Sequence, residues 1–353
     1  MCLHERAVFE FGPVPAKSAL LPDHAGTGKH TRAPLASRRP NRFNRSHTSK
    51  PRRRHTGGYI LAIFYPDILD QKTAPRTFTY GDKDVMLYAL GVGMGQDPMN
   101  ETELPFVYEK GLKVIPTAAT VLAPSGRGAS GPAPEMPAGH RPSQINFLMV
   151  VHGEQKVELH KPLTAGGTYT AQGRTAGAYD KGEGKGAVII NETIWTDEKG
   201  EKVVTLTGST FARGDGGFGG PSEGAPEPHV VPTRAPDLSV DFTTREDQAL
   251  LYRLNGDRNP LHSDPDIARK AGFQRPILHG LCTYGITCRA VLQAITDFDP
   301  DQIYSHQARF SAPVFPGDTI TVDLWKDGKN ISFEARVKDR NVTVIKNGLT
   351  VLR

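Results

Sequence analysis

Within the eleven residues Tyr252-Arg-Leu-Asn-Gly-Asp-Arg-Asn-Pro-Leu-His262 the chain places a carboxylate (Asp257), a carboxamide (Asn259) and an imidazole (His262). These are groups for proton transfer: a carboxylate and an imidazole can hand a proton to and from one water, and an amide can orient either of them. Asp257 and His262 are therefore the candidate catalytic pair, with Asn259 expected to orient the water or the carboxylate. Gly, Asp, Asn and Pro are also ordinary turn formers, which accounts for Asn255, Gly256 and Pro260 but not for His262.

Two helices must clamp such a loop. Upstream, Thr244-Arg-Glu-Asp247 reads as a capping box, and Ala249, Leu250 and Leu254 supply an apolar stripe. A helix is expected to about Leu254, where Asn255-Gly256 stops it. Downstream, Asp264 is a good N-cap with Pro265 at the first helical position, and Gly272 ends that helix. The segment Pro276-Ile-Leu-His-Gly280 then leads into apolar residues at Leu281, Tyr284, Cys288, Val291, Leu292 and Ile295. That spacing predicts a buried helix starting near Gly280. The first N–H groups of a helix lack internal partners and carry the positive end of its dipole, so Gly280 is the candidate oxyanion hole.

The chain also repeats itself. Phe78-Thr79 recurs as Phe242-Thr243, and Leu87-Tyr88-x-Leu90 recurs at the same offset as Leu251-Tyr252-x-Leu254. Pro162, Gly166, Thr168 and Thr170 recur as Pro313, Gly317, Thr319 and Thr321, at a shorter offset that the Pro/Gly-rich insertion from Pro124 to Pro142 explains. Two copies of one fold are expected in tandem. The first offset puts Gly93, Gly95 and Pro98 where the second copy has Asp257, Asn259 and His262. The first copy has lost the chemistry and is expected to pair with the second and shape a pocket.

Tyr-x-Leu-x-Gly-Asp-x-Asn-Pro-x-His, then Ala268 and Phe273-x-x-Pro-Ile-x-His-Gly280, resembles the motif of the MaoC-like (R)-specific enoyl-CoA hydratases, the hydratase 2 family. Arg309-Phe310-Ser-Ala-Pro313 and Pro316-Gly-Asp-Thr319 extend the likeness. Upstream, Tyr88 to Gly93, His152-Gly-Glu-Gln155, Asp180-Lys-Gly182 and Gly216 to Gly220 resemble the N-terminal half of the two-domain eukaryotic type, as in the peroxisomal multifunctional enzyme type 2. The resemblance spans roughly residues 66 to 352. It implies an α+β double hot-dog, each repeat a long helix wrapped by an antiparallel sheet, with the two sheets joined edge to edge. It also implies a hydro-lyase adding water to trans-2-enoyl-CoA to give (R)-3-hydroxyacyl-CoA in fatty-acid or sterol side-chain β-oxidation. His152, Gly153, Lys181, Phe310 and Glu109 would be its substrate-binding residues. No cofactor is implied beyond the CoA that the substrate carries.

Composition is consistent with this reading. Of 353 residues, residues 66–220 and 237–353 are read as the two hot-dog domains, with 221–236 as linker. Strands are expected near 147–160, 167–178, 186–196 and 202–212, and again around Thr319 to Leu324 and Val342 to Ile345. Residues 1–58 carry 12 Lys+Arg against 3 Asp+Glu, a net of +9, so the chain's +5 leaves −4 for the rest. This tail reads as disordered and as an upstream start codon wrongly chosen, with a nucleic-acid arm or a targeting peptide as alternatives. With an acidic remainder, no nucleic-acid partner is expected. Tyr59 to Tyr65 is too short to span a membrane, and no membrane partner is expected.

Cys2, Cys282 and Cys288 offer no disulfide framework and no metal-ligand spacing, so a reducing compartment and no metal are expected. A bacterial source implies the cytoplasm and a eukaryotic one the peroxisome, although Val351-Leu-Arg353 is no Ser-Lys-Leu-like address. Gly26-Thr-Gly-Lys29 and Gly91-Val-Gly-Met-Gly95 miss the phosphate-loop and dinucleotide patterns. The expected partner is an acyl-CoA thioester, and a homodimer is expected. The alternatives are a dehydratase or thioesterase of the same fold acting on another acyl thioester, and a nucleic-acid-binding protein using the basic tail.

Overall fold

A computed structural model describes residues 62–123, 135–145 and 150–353. The basic tail, and the part of the Pro/Gly-rich insertion at 124–134, lie outside the described residues. The first half runs β1 (Arg76–Tyr80), α1 (Asp82–Gly91), α2 (Leu104–Val107), α3 (Ala119–Leu122), β2 (Val150–Leu159), β3 (Gly167–Asp180), β4 (Ala187–Thr196) and β5 (Lys202–Ala212). The second runs β6 (Leu238–Thr243), α4 (Gln248–Tyr252), α5 (Pro265–Lys270), α6 (Gly280–Ala294), β7 (Ile303–Phe310), β8 (Thr319–Asp327), β9 (Asn330–Val337) and β10 (Val342–Leu352).

All ten strands join one antiparallel sheet in the order β1-β3-β4-β5-β2-β7-β10-β9-β8-β6. Read from each outer strand inward, the halves have the same strand order, as the duplication anticipates. The register repeats too. Thr79 lies opposite Thr168 with hydroxyls 2.9 Å apart, and the duplicate residues Thr243 and Thr319 pair in the same way, also at 2.9 Å. The halves meet where β2 pairs β7, from Glu154 opposite Arg309 to Glu158 opposite Ser305, so neither strand is left as an open edge.

Helix α6 is buried along Cys282 to Leu292, as a helix apolar on nearly every side must be. Its counterpart in the first half is much shorter: a 3-10 turn at Pro116–Ala118 running into α3, which stops at the extended Ala123. The expected long helix in each half is thus found in the second. Proline opens the first-half segment, and the Pro/Gly-rich insertion follows directly after it.

The halves pack through the α1 and α4 helices. The duplicated Tyr88 and Tyr252 meet edge to face at 6.1 Å, and the Gln248 side chain donates to Gly91 O at 2.6 Å. A Cβ on Gly285 of α6 would sit 2.5 Å from Val92 Cγ1 and 2.6 Å from the Tyr88 hydroxyl, so glycine allows α1 this close. A buried ion pair adds a further tie: Arg289 of α6 donates to Glu103 Oε1 through Nε at 3.0 Å and Nη2 at 2.5 Å, while Glu103 Oε2 accepts the Gly95 N–H at 2.8 Å.

Helix α4 corrects two expectations. Thr244 does not cap it: its hydroxyl donates to Asp318 O at 2.9 Å and accepts the Gly317 N–H at 3.0 Å, which fastens the end of β6 to the turn before β8. Ala249 is buried, but Leu250 and Leu254 are 53% and 54% exposed. The face turned inward is Ala249 and Tyr252, three residues apart, because α4 packs on α1 along that narrow line.

Candidate active site

The loop from Gly256 to Asp264 is fixed by its own turn chemistry. Gly256 takes a φ of 117°, a conformation other residues avoid, and ends the 3-10 turn Arg253–Asn255 that continues α4. Asn259 Oδ1 accepts the Leu261 N–H at 3.0 Å and caps the turn Pro260–His262, and Asp264 caps α5 by accepting from Asp266 and Ile267. Asn259 is exposed, and besides capping this turn through its side-chain oxygen it contacts Asp257 through its main-chain N–H, 3.2 Å from Oδ1.

His262 is 8% exposed, and its Nδ1 lies 2.8 Å from Ile277 O. A carbonyl only accepts, so Nδ1 carries the hydrogen and Nε2 is left bare, ready to take a proton. The sequence reading gave no role to His279, and the structure places it against both members of the pair. It is 1% exposed, its Nε2 donates to Asp257 O at 3.1 Å, and its ring stacks on that of His262 with centroids 3.8 Å apart and planes at 27°. Asp257, His262 and His279 each offer an atom within 4.8 Å of the others. Burial chiefly lowers the His262 pKa below the ordinary 6.5, against the pull of Ile277 O and the Asp257 charge. Burial, and then the neighbouring His262, push His279 down to about 4. Both rings are neutral at pH 7.

Two histidines and a carboxylate could suggest a metal. The ring planes of His262 and His279, inclined at 27° and stacked at 3.8 Å, converge only well beyond the roughly 2 Å reach of a metal–nitrogen bond. The two rings therefore do not aim their in-plane lone pairs at one ion.

Gly280 opens α6 immediately after His279. It is exposed, and its N–H has no hydrogen-bond partner among the described residues. A Cβ there would lie 3.3 Å from two carbons of the Phe310 ring, so glycine keeps the approach to that N–H open. Phe310 in turn packs on His152 at 4.9 Å between ring centroids. Gly153 sits at a register irregularity of β2 between His152 and Glu154, where a Cβ would meet Ser209 Oγ at 2.8 Å. His152, Gly153, Phe310 and Gly280 thus form one wall.

The other two expected substrate contacts are Lys181 and Glu109. Lys181 donates to Ser222 O at 2.7 Å, beside a loop in which the Asp180 carboxylate accepts from Gly182, Gly217 and Gly219. Glu109 is exposed on the turn after α2 and makes no hydrogen bond or ion pair among the described residues. Neither contacts Asp257 or His262.

An acid–base pair packed against the residue that opens a buried helix, on a duplicated frame of helix and antiparallel sheet, is the arrangement of a double hot-dog enzyme for chemistry next to a carbonyl. Residues 229–348 match the model of the MaoC-like domain, and residues 78–214 that of the N-terminal domain of multifunctional enzyme 2 hydratase 2. The chain is 41% identical over 284 residues to an enoyl-CoA hydratase of Mycobacterium tuberculosis, covering 80% of this chain and 96% of that one. It is 36% identical over 298 residues to the peroxisomal enoyl-CoA hydratase 2 of Arabidopsis thaliana, covering 80% and 94%. The crystal structure of a MaoC-like dehydratase from Phytophthora capsici superposes with a TM-score of 0.71 at 36% identity, covering 81% of this chain and 98% of that one. The chain belongs to the two-domain MaoC-like hydratase 2 family.

Proposed function

We propose that the chain adds water reversibly to trans-2-enoyl-CoA thioesters, giving (R)-3-hydroxyacyl-CoA, as a hydro-lyase of β-oxidation. The observation that carries the reading is that Asp257 and His262 bring ligand-capable atoms within 4.8 Å of each other and of His279, the residue that precedes Gly280 at the start of α6. Conjugation with the thioester makes C3 electrophilic. A water held between Asp257 and His262 adds its oxygen to C3, and the C2–C3 π pair moves to form the enolate, placing negative charge on the thioester oxygen. Gly280 N–H stabilises that charge; one such donor is typically worth about 10²- to 10³-fold in rate. The pair takes one proton from the water and returns one to C2 on the same face, which closes the balance with water as the sole co-reactant. The reaction needs no cofactor beyond the CoA of its substrate.

His152, Gly153 and Phe310 border the thioester, and the first half shapes the space for the acyl tail. No helix among the described residues is long and apolar enough to cross a membrane. The relatives include a mycobacterial and a peroxisomal enzyme, and the chain's own compartment follows its source: the cytoplasm if bacterial, the peroxisome if eukaryotic.

The test is purified protein with crotonyl-CoA and longer enoyl-CoAs, following loss of enoyl absorbance, with chiral analysis of the product and an assay for free thiol. Asp257→Ala and His262→Ala are each expected to lower turnover by about 10²- to 10⁴-fold. Undiminished turnover in both variants overturns the assignment, and release of free thiol without a hydroxyacyl product makes the protein a thioesterase.

A further inference from the structure

We propose that His279 is a positioning residue for this reaction: it fixes Asp257 through a hydrogen bond to the Asp257 main-chain carbonyl and fixes His262 by covering its ring face. The inference rests on the hydration reading above and deepens it.

Asp257 follows a glycine with positive φ, and its carboxylate is tied only to the Asn259 N–H two residues away. Among the described residues, the 3.1 Å bond from His279 Nε2 is the one hydrogen bond that joins Asp257 to an element outside its own loop. His262 is held at a single atom, Nδ1, by Ile277 O, and a ring pinned at one atom can still swing about it. The His279 ring, parallel to within 27° at 3.8 Å, blocks that swing on one face. Behind His279 stands Tyr252, at 4.9 Å between centroids and fully buried, so the His279 ring cannot retreat.

The backbone position strengthens the case. His279 is the N-cap of α6, its carbonyl accepts from Cys282 and Thr283, and the next residue is Gly280. One residue of a buried helix therefore sets the carboxylate, the imidazole and, through the adjoining peptide, the oxyanion donor. Spacing among the three depends on a single rigid element and not on the loop alone.

His279 also carries a penalty that a residue serving only as filler would avoid. Its Nδ1 is buried with no partner, and a buried acceptor without a donor is unfavourable compared with a phenylalanine or leucine of similar bulk. With Nε2–H donating to a carbonyl the ring is neutral, because burial and the neighbouring His262 oppose a charge on it more than Asp257 attracts one. A neutral ring leaves Asp257 unpaired with a cation and free to act on water.

The experiment compares full-length His279→Gln, His279→Asn and His279→Phe in steady-state hydration of crotonyl-CoA. A glutamine amide nitrogen falls near the position of Nε2 and keeps the donor to Asp257; an asparagine amide falls near Nδ1 and loses it; phenylalanine keeps the stacking alone. Asn and Phe are expected to lose about 10²-fold in kcat, the order that a misplacement of about 1 Å produces, with KM within about threefold of wild type. Gln is expected to return to within about tenfold of wild type. Equal kcat in Gln and Asn at matched thermal stability, wild-type kcat in Asn or Phe, or a loss confined to KM overturns the proposal. Should Phe fail to fold, the Gln and Asn pair decides. A wild-type protein that does not hydrate enoyl-CoA at all refutes the proposed function instead, and the control arm shows it separately.

Discussion

Replacing Glu103 by alanine tests whether the non-catalytic half is locked to the catalytic helix by charge. The Glu103 and Arg289 side chains are only 2% and 11% exposed, and the bond spans 186 positions of sequence. Deleting the carboxylate leaves a buried guanidinium over the Phe242 ring, 4.5 Å from its centroid, without its counter-charge, and also strips the Gly95 N–H of its acceptor. Breaking one partner of a buried pair costs about 3–5 kcal/mol, because the remaining charge stays out of water uncompensated. At about 2–4 °C per kcal/mol for chains somewhat smaller than this one, the melting temperature should drop by about 6–20 °C. Glu103→Leu combined with Arg289→Met removes both charges and should recover most of that loss, since apolar replacement of a buried pair is often neutral. Thermal and urea unfolding of Glu103→Leu, Arg289→Met and the double variant, analysed as a cycle, gives the coupling directly. A Glu103→Ala variant within about 1 kcal/mol of wild type, or a double variant as unstable as the sum of the singles, refutes the reasoning.

Three other outcomes follow from burial and close packing. Folding holds His262 below its ordinary 6.5 and pushes His279 to about 4 and His306 to about 3, burial being the first cause in each. Below pH 6.5 the unfolded chain therefore binds protons that the folded one refuses, and stability falls as pH drops toward 4, by up to about 1.4 kcal/mol per pH unit for each ring. A urea midpoint unchanged between pH 7.5 and pH 5 contradicts this. The same depression of His262 places the acid limb of kcat/KM below pH 6.5, measurable in the crotonyl-CoA assay. Gly285→Ala should destabilise although alanine is the better helix former by about 1 kcal/mol. The new Cβ would lie 2.5 Å from Val92 Cγ1, and overpacking of that kind costs about 1–3 kcal/mol, so a raised melting temperature would count against the packing described.

What the sequence made legible was whatever local chemistry decides. Gly256, Asn259, Pro260 and Asp264 encode the catalytic loop through φ preference and capping, so its position and its Asp257 and His262 could be read directly. The duplication was legible because Thr79 and Thr168 recur as Thr243 and Thr319, and these are cross-strand partners in both copies. Tertiary placement was not legible. His279 gains its role only because α6 docks beside the loop, and the Glu103–Arg289 pair joins residues that no local pattern connects. Leu250 and Leu254 looked like core by their spacing, but α4 packs along the narrower line of Ala249 and Tyr252. Lys181 and Glu109 were drawn from family likeness, and no hydrogen bond or ion pair among the described residues joins them to Asp257 or His262.

The pairing of β2 with β7 puts two repeats in one chain while only the second holds an acid–base loop. In an assembly of identical copies, every change to a pocket wall is also made beside the chemistry. Here evolution can redraw the wall alone: a substitution in the first repeat alters which acyl tails fit while the residues that move protons keep their own gene segment untouched. Covalent linkage thereby separates selection for substrate from selection for rate.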